Sequence, residues 1–379
     1  MRQLSRGIDF LFENSIFLIL SAVIALIWAN HDYEAYENFV YPVHFWINDV
    51  AMCFFFGMAA KEIWESFLPG GALSSPKQAS LPIIATLGGM TGPAVLYLIS
   101  CSLFKLEVLQ VGWAIPCATD IAFSYLFARM IFGKGHPAIP FLLLLAIADD
   151  ALGLIVLAVF YPNGDVSLLH FLGWVAPAMG IAYVMRRKRV LSFWPYLLIP
   201  GVMSWYGFFR GGIHPALALV VIVPLMPSAK ADLGLFAENE ENRQDTLDRF
   251  EHWWKKPVEL ILGLFGLVNA GVLFGNAGIA TGIVMVSLLL GKPLGITIFT
   301  LIGMGFGLSL PRRMSMRDVI VLGSVAGVGF TVALFVATVA LPAGPLLDAA
   351  KLGALASMLA AVLSLILAKM LGVRRISQA

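Results

Sequence analysis

The amino-acid sequence predicts an all-α integral membrane protein of about twelve transmembrane helices, and three observations carry that expectation. Of 379 residues, 59% are hydrophobic and only 13% charged, against roughly 25% charged in a soluble globular domain, and the mean hydropathy is +0.87. Apolar runs recur along the whole chain, with polar or Gly/Pro-bearing links between them. Each is long enough, at about 1.5 Å per residue, to cross a hydrocarbon layer about 30 Å thick. There is no ten-residue alternation of the kind a transmembrane β-barrel needs. Helices, which satisfy their own backbone groups in lipid, are therefore the expected solution.

The first span, Ile16–Asn30, follows Arg2 and Arg6, and no A-x-A cleavage pattern follows Trp28. It reads as a retained span rather than a signal peptide. Trp46–Trp64, Ser80–Phe104, Gly112–Ile131, Ala138–Phe160 and Val166–Met185 complete the first half. The second half reads Leu191–Phe208, Ile213–Met226, Pro257–Leu273, Ile279–Leu308, Val319–Ala340 and Leu347–Leu371. Ile213–Met226 is short, and Ile279–Leu308 is long enough to need tilt or a break.

The basic link residues set the orientation. Lys77, Lys134, the run Arg186 to Arg189, Lys255 and Lys256, Arg312, Arg313 and Arg317, and Arg374 and Arg375 all fall on one side, as do both termini of a twelve-span chain. The other side has only Lys105, Arg210 and Lys351 as basic loop residues, together with an acidic stretch from Asp32 to Glu37. The basic side is expected to be cytoplasmic. The long polar link from Asp232 to Lys256 is expected to form a helix along that surface.

Several function classes are excluded. A net charge of +2, with basic residues scattered among short loops, gives no surface for nucleic acid. Cys53, Cys101 and Cys117 lie singly in apolar stretches, so neither a disulfide framework nor a zinc site is indicated. His31, His44, His136, His170 and His214 fall in loops or near span ends, where a solvated role is expected. No constellation supports metal catalysis, and no cofactor is expected.

The chemistry rests on four ionisable residues at membrane depth, where each costs at least about 2.5–3.5 kcal/mol to insert. Asp120 follows Pro116-Cys117-Ala118-Thr119, Asp149 and Asp150 adjoin in an apolar run, and Lys292 lies in Gly291-Lys292-Pro293-Leu294-Gly295. One buried acid paired with one lysine can simply fix helix packing. Three acids against one lysine leave two carboxylates to explain. Neighbouring residues on a helix point about 100° apart, so Asp149 and Asp150 cannot share a partner. One is expected to reach Lys292 while the other faces a water-filled cavity, where a proton and a small monovalent cation compete for the pair. That competition is the chemical requirement of cation/proton exchange.

Pro116 and Thr119 interrupt the fourth span, and Gly323, Gly327 and Gly329 loosen the eleventh. Two unwound helices crossing at mid-membrane expose dipole ends. Asp120 can offset the positive N-terminal ends and Lys292 the negative C-terminal ends. Spans three to five and ten to twelve each place an interrupted helix in the middle, suggesting inverted repeats over residues 80–160 and 279–371.

These residues together resemble the NhaA family of bacterial sodium/proton antiporters. The likeness is carried by Trp46-Ile47-Asn48-Asp49, the run from Gly112 through Pro116 into Ala118-Thr119-Asp120-Ile121-Ala122-Phe123, and the Asp149-Asp150 pair. It extends to Asn269-Ala270-Gly271-Val272, the segment around Lys292, and Gly327-Val328-Gly329-Phe330-Thr331. The resemblance implies an inverted-repeat fold in which spans 4 and 11 are interrupted and cross. It implies that Asp150 is the principal ligand for Na⁺ or Li⁺, with Asp149 exchanging its proton against a salt bridge to Lys292 and Thr119 and Asp120 lining the crossing. It further implies an inner-membrane homodimer that serves pH homeostasis, with a cytoplasmic funnel leading to the paired acids.

The sequence departs from the family pattern where the family responds to pH. The Gly-x-Glu-x-Lys-Arg-Glu pattern at the end of the second span becomes Ala60-Lys61-Glu62-Ile63-Trp64-Glu65-Ser66 and keeps only Glu62 of its glutamates. Near the ninth span Glu251-His252 match, but Lys255-Lys256-Pro257 replaces His-Pro and Glu259 is an added acid. Glu62, Glu251 and His252 are the candidate pH-response residues.

Three other readings fit less well. An intramembrane aspartyl protease needs a Gly-x-Gly-Asp motif, and Asp149 follows Ala146-Ile147-Ala148. A channel suits an open pore rather than interrupted helices with buried charge pairs. A sodium-coupled symporter of an organic solute is the main alternative, but a buried lysine competing for a carboxylate adds nothing to a sodium site. A transporter rather than an enzyme is expected.

Overall fold

The computed structural model describes residues 16–228, 245–373 and 375. Arg2, Arg6, Arg374 and most of the link after Asp232 lie outside the described residues. Every regular element described is helical. The chain runs through α1 (Ile16–His31), α2 (Tyr33–Phe45), α3 (Met52–Phe67), α4 (Pro76–Leu103), α5 (Ile121–Phe132), α6 (Ala138–Phe160), α7 (Leu168–Arg187) and α8 (Val202–Gly211). It continues through α9 (Thr246–Asn269), α10 (Ile279–Val286), α11 (Lys292–Gly305), α12 (Met316–Ala326), α13 (Phe330–Ala340), α14 (Pro345–Ala356) and α15 (Leu359–Met370).

Six stretches are long and apolar enough to cross a membrane: 33–67, 79–103, 138–160, 168–187, 279–305 and 345–370. Two further pairs do so jointly, bent by 54° between Glu107–Cys117 and α5 and by 50° between α12 and α13. Ile16–His31 and Pro215–Leu225 are shorter apolar helices. Among the described residues this makes six spans, or eight with each bent pair taken as one, on a chain that is a multi-pass membrane protein. Leucine, isoleucine and valine are exposed along the outer faces of these helices, as suits side chains that meet lipid.

Several sequence expectations are corrected. The span read as Trp46–Trp64 is part of a longer helical stretch from Tyr33, in which a π-type turn at Trp46–Ala51 joins α2 to α3. The acidic stretch is therefore helical, with Asp32 as its N-cap, accepting the Ala35 N–H at 3.0 Å. Ile279–Leu308, expected to need tilt or a break, is not corrected in this way: it carries a π-type turn at Ser287–Gly291, directly before Lys292. Ile213–Met226 winds into the tighter turns Pro215–Val221 and Val223–Leu225.

The described part of the expected surface helix, beginning at its cap Asp245, is instead the start of α9, which continues unbroken to Asn269. Lys351 is no loop residue: it is buried within α14. His136 and His214 are not solvated but buried, because each turns Nδ1 inward to accept a backbone N–H, from Ala138 at 3.1 Å and Ala216 at 3.3 Å.

The site-bearing helices α4, α5, α6, α11 and α12 share one apolar core that includes Leu81, Phe132, Leu145, Ile296 and Leu322. A close contact in it joins α4 to the start of α11 and the turn before it. A Cβ on Gly295 would lie 2.0 Å from the Gly88 carbonyl, and one on Gly92 would lie 2.4 Å from the Gly291 carbonyl. Lipid offers no hydrophobic drive between helices, so small residues four apart on both partners let the backbones close up instead. Gly291 and Gly295 flank Lys292, and this contact fixes the face from which the lysine projects.

Candidate cation and proton site

Both bends fall at mid-helix and meet each other. Asp120 ends the irregular backbone before α5, and its N–H donates to the Val328 carbonyl at 2.7 Å. Thr119 Oγ1 donates to the Ala326 carbonyl at 3.2 Å, and Ser124 Oγ to that of Val325 at 3.1 Å. Carbonyls at the C-terminal end of α12 and in the break beyond it thus accept from the other broken helix.

The Asp120 carboxylate serves two helix N-termini at once. Oδ1 accepts the Phe123 N–H of α5 at 3.4 Å, while Oδ2 accepts the Thr331 N–H of α13 at 3.3 Å and the Thr331 hydroxyl. Both dipoles present their positive ends there, which gives a buried carboxylate its electrostatic reason. Ring packing between Phe123 and Phe330, edge to face at 5.8 Å, holds the crossing on its apolar side.

Lys292 is fully buried. Its ammonium donates to Asp149 Oδ2 at 2.9 Å and to the Thr119 hydroxyl. Asp149 Oδ1 is buried without a hydrogen-bond partner among the described residues. Asp150, one residue on, turns to a cavity of about 110 Å³ that Thr119, Asp120, Glu62, Glu259 and Lys255 also line. Among the described residues Asp150 has no ion pair. A second, smaller cavity of about 20 Å³ reaches both acids from the side of Phe56, Leu154 and Leu157. The first has room for several waters and the second for about one.

The structure therefore brings together Asp149, Asp150, Asp120, Thr119 and Lys292. It separates the three pH-response candidates. Glu62 lines the cavity, Glu251 is ion-paired with the buried Lys61, which also meets Glu65 at 2.6 Å, and His252 is exposed. The Lys61–Glu251 pair between α3 and α9 was missed in the sequence. Its only signal was Lys61, at a position that the family pattern leaves open.

The chain matches the family model described as Na⁺/H⁺ antiporter 1 over residues 11–368. It is 45% identical over 417 residues to the Na⁺/H⁺ antiporter NhaA of Jannaschia sp. (strain CCS1), covering 97% of this chain and 98% of that one. The chain belongs to the NhaA family of Na⁺/H⁺ antiporters. A second NhaA relative, from Geotalea uraniireducens (strain Rf4), is 46% identical over 378 residues, with 98% of each chain covered. Among solved structures, the sodium proton antiporter MjNhaP1 of Methanocaldococcus jannaschii is similar at 15% identity and a TM-score of 0.49, over 99% of this chain and 100% of that one. The two NhaA relatives align over 97% and 98% of this chain, and the residues matched by the family model, 11–368, contain the acids, Lys292 and both broken helices.

Proposed function

We propose that the chain exchanges Na⁺ or Li⁺ for protons at Asp149 and Asp150 by alternating access. The observation that carries this reading is the division of labour between the two acids: Asp149 pairs with Lys292 at 2.9 Å while Asp150 faces the cavity. A hard cation entering the cavity finds the Asp150 carboxylate, and gains Asp149 as a second ligand when Lys292 withdraws. Asp149 Oδ1, which has no donor among the described residues, is the oxygen available for it. Arrival of protons reverses the exchange: Asp150 takes one, and Lys292, which gives up a proton when it withdraws from Asp149, takes a second as the Asp149–Lys292 pair re-forms. Two protons against one monovalent cation make the exchange electrogenic.

The two acids and the lysine lie together, so exchange follows their joint occupation by protons or a cation. Thr119 and Asp120 keep the crossing intact while the pair changes state. Lys61, Glu65 and Glu251 tie α3 to α9 near the cavity mouth, beside Glu62, so these groups set the pH response together. The basic loops face the cytoplasm of a bacterial inner membrane, both termini lie on that side, and two copies associate as a homodimer. Residues 80–160 and 279–371 act as inverted repeats, each built around one bent helix. The Lys292–Asp149 pair counts against a sodium-coupled symporter, to which the lysine contributes nothing.

Reconstitution into proteoliposomes tests this reading. Na⁺ or Li⁺ added under an inward-acid pH gradient is expected to release protons, and clamping the voltage with valinomycin and K⁺ is expected to change the turnover. No proton movement with any monovalent cation across the pH range would reject the exchange itself, and complete insensitivity to the clamp would leave a one-for-one exchanger.

A further inference from the structure

Three of the helices that wall the main cavity are joined a second time, beyond the acids. On α3, α9 and α13 the cavity is lined by Glu62, Leu262 and Thr331 respectively. Seven residues farther along α9 and α13, about 10 Å of helix, stand Asn269 and Thr338, and the π-type turn before α3 brings Asn48 to the same level.

The Asn269 amide is saturated. Nδ2 donates to Asn48 Oδ1 at 2.8 Å and to the Phe265 carbonyl at 3.0 Å, while Oδ1 accepts from Asn48 Nδ2 at 3.2 Å and lies 3.3 Å from the Thr338 hydroxyl, whose one proton it shares with the Leu334 carbonyl at 2.9 Å. Asn48 and Asn269 are both buried. Between this level and the cavity the same three helices supply a layer of buried rings: Phe335 meets Phe56 at 4.9 Å and Phe265 at 6.1 Å. The small cavity beyond Asp149 and Asp150 stops at Phe56.

We propose that Asn48, Asn269 and Thr338 form a latch, with the Phe56–Phe265–Phe335 layer beneath it, that shuts the path from the paired acids to the face opposite the main cavity. Two polar positions and an aromatic layer suit different parts of one gate. Packed rings exclude water when the gate is shut, as an apolar constriction does. Amides and a hydroxyl that bond one another when shut can bond water when parted, so the latch opens without stranding a buried polar group. The π-type turn supplies the local irregularity that aims Asn48 at Asn269, a common use of such turns at functional positions. α13 packs with α14 and with the broken-helix turn Ile115–Cys117, whereas α9 packs chiefly with α1 and α3. The Thr338–Asn269 bond therefore spans the two groups of helices that alternating access has to separate. These three polar residues are positioning residues: they touch no ion and act through the route they close.

The proposal rests on the exchange reading, and two experiments test it. The first uses a chain whose Cys53, Cys101 and Cys117 are replaced by alanine and which carries Asn269→Cys with Thr338→Cys. It is reacted with a short bifunctional methanethiosulfonate. Exchange in proteoliposomes is expected to fall by about tenfold or more when the gate is tied shut, to return on reduction with dithiothreitol, and to persist after capping with methyl methanethiosulfonate. Linked protein exchanging at the unlinked rate overturns the latch. Failure of the exchange reading shows differently, as an unsubstituted chain that moves no protons.

The second experiment needs no transport. Thr338→Val is combined with a Leu157→Cys reporter in the same thiol-free background, and a membrane-impermeant methanethiosulfonate is applied to intact cells. Loosening the latch is expected to raise the labelling rate about threefold or more by populating the open state. An unchanged rate overturns the proposal.

Discussion

Lys292 Nζ lies 2.9 Å from Asp149 Oδ2, with both side chains almost wholly out of contact with the surroundings, and the same ammonium reaches the Thr119 hydroxyl on the broken helix. One cation thus ties α6, α11 and the fourth span together while the neighbouring carboxylate, Asp150, stays on the cavity. In the exchange proposed above, opening this pair also releases a structural contact, so transport cycle and helix assembly share one interaction.

Removing only one partner leaves the other charge buried and unpaired. Lys292→Met is expected to lower stability by about 3–5 kcal/mol, as for other buried pairs broken on one side. Asp149→Asn combined with Lys292→Met is expected to recover most of that loss. Thermal unfolding in detergent measures both, and a double variant no more stable than the single one would show that the pair is not coupled.

Asp120 holds two helix N-termini, so its charge and its shape can be separated. Asp120→Ala loses the bonds to Phe123, Thr331 N and Thr331 Oγ1 and is expected to cost about 2 kcal/mol or more. Asp120→Asn keeps an acceptor for one end and is expected to unfold at a temperature between those of alanine variant and parent. Equal unfolding temperatures for the two variants would mean that neither cap matters.

Gly295 sits where α11 meets α4. Gly295→Ala puts a methyl group 2.0 Å from the Gly88 carbonyl, which only a shift of the helices relieves, at an expected cost of about 1–3 kcal/mol. The same shift moves Lys292 off Asp149. Exchange is therefore expected to weaken in cation affinity as well as in stability, a combination that Gly305→Ala, in open space at the end of the same helix, does not produce.

His136 lies between α5 and α6, where burial holds its imidazole below the ordinary histidine value and Asp318 opposes that shift only in part. The unfolded chain takes up the proton first as pH falls, so the contribution of neutral His136 is complete above the ordinary value of 6.5 and is lost as pH drops below it. The unfolding temperature is expected to fall more between about pH 7.5 and 5.5 for the parent than for His136→Asn, which keeps a side-chain acceptor for the Ala138 N–H. Equal falls would remove His136 as the cause.

Much of the fold could be read from the sequence because lipid imposes one rule on every span. The apolar runs located the helices, and Pro116, Thr119 and the glycines before Phe330 fell where the two bent helices turn. What the runs could not give was local winding. The π-type turns at Trp46–Ala51 and Ser287–Gly291 leave no mark in hydropathy, and nothing in the polar composition near Thr246 distinguishes the start of a spanning helix from a surface one.

At the candidate site, adjacent acids on one helix had to point apart, so Asp149 and Asp150 were separable in advance. The partners of Asn48 and Asn269 were not, because a contact 221 residues apart in sequence is set by tertiary packing alone. His136 and His214 were misjudged for a related reason: a backbone N–H two residues on offers a short histidine loop a buried partner.

The central claim is that one pair of carboxylates is occupied in turn by a cation and by protons, with Asp150 as the acid that meets the cation. The most direct test is Na⁺-driven proton movement in proteoliposomes containing Asp150→Asn, whose fold is checked by an unfolding temperature close to that of the parent. The asparagine keeps the shape and loses the charge, so the account predicts no proton movement at any pH and no stabilisation of the protein by Na⁺ or Li⁺. Exchange at the parent rate with unchanged cation affinity would contradict it.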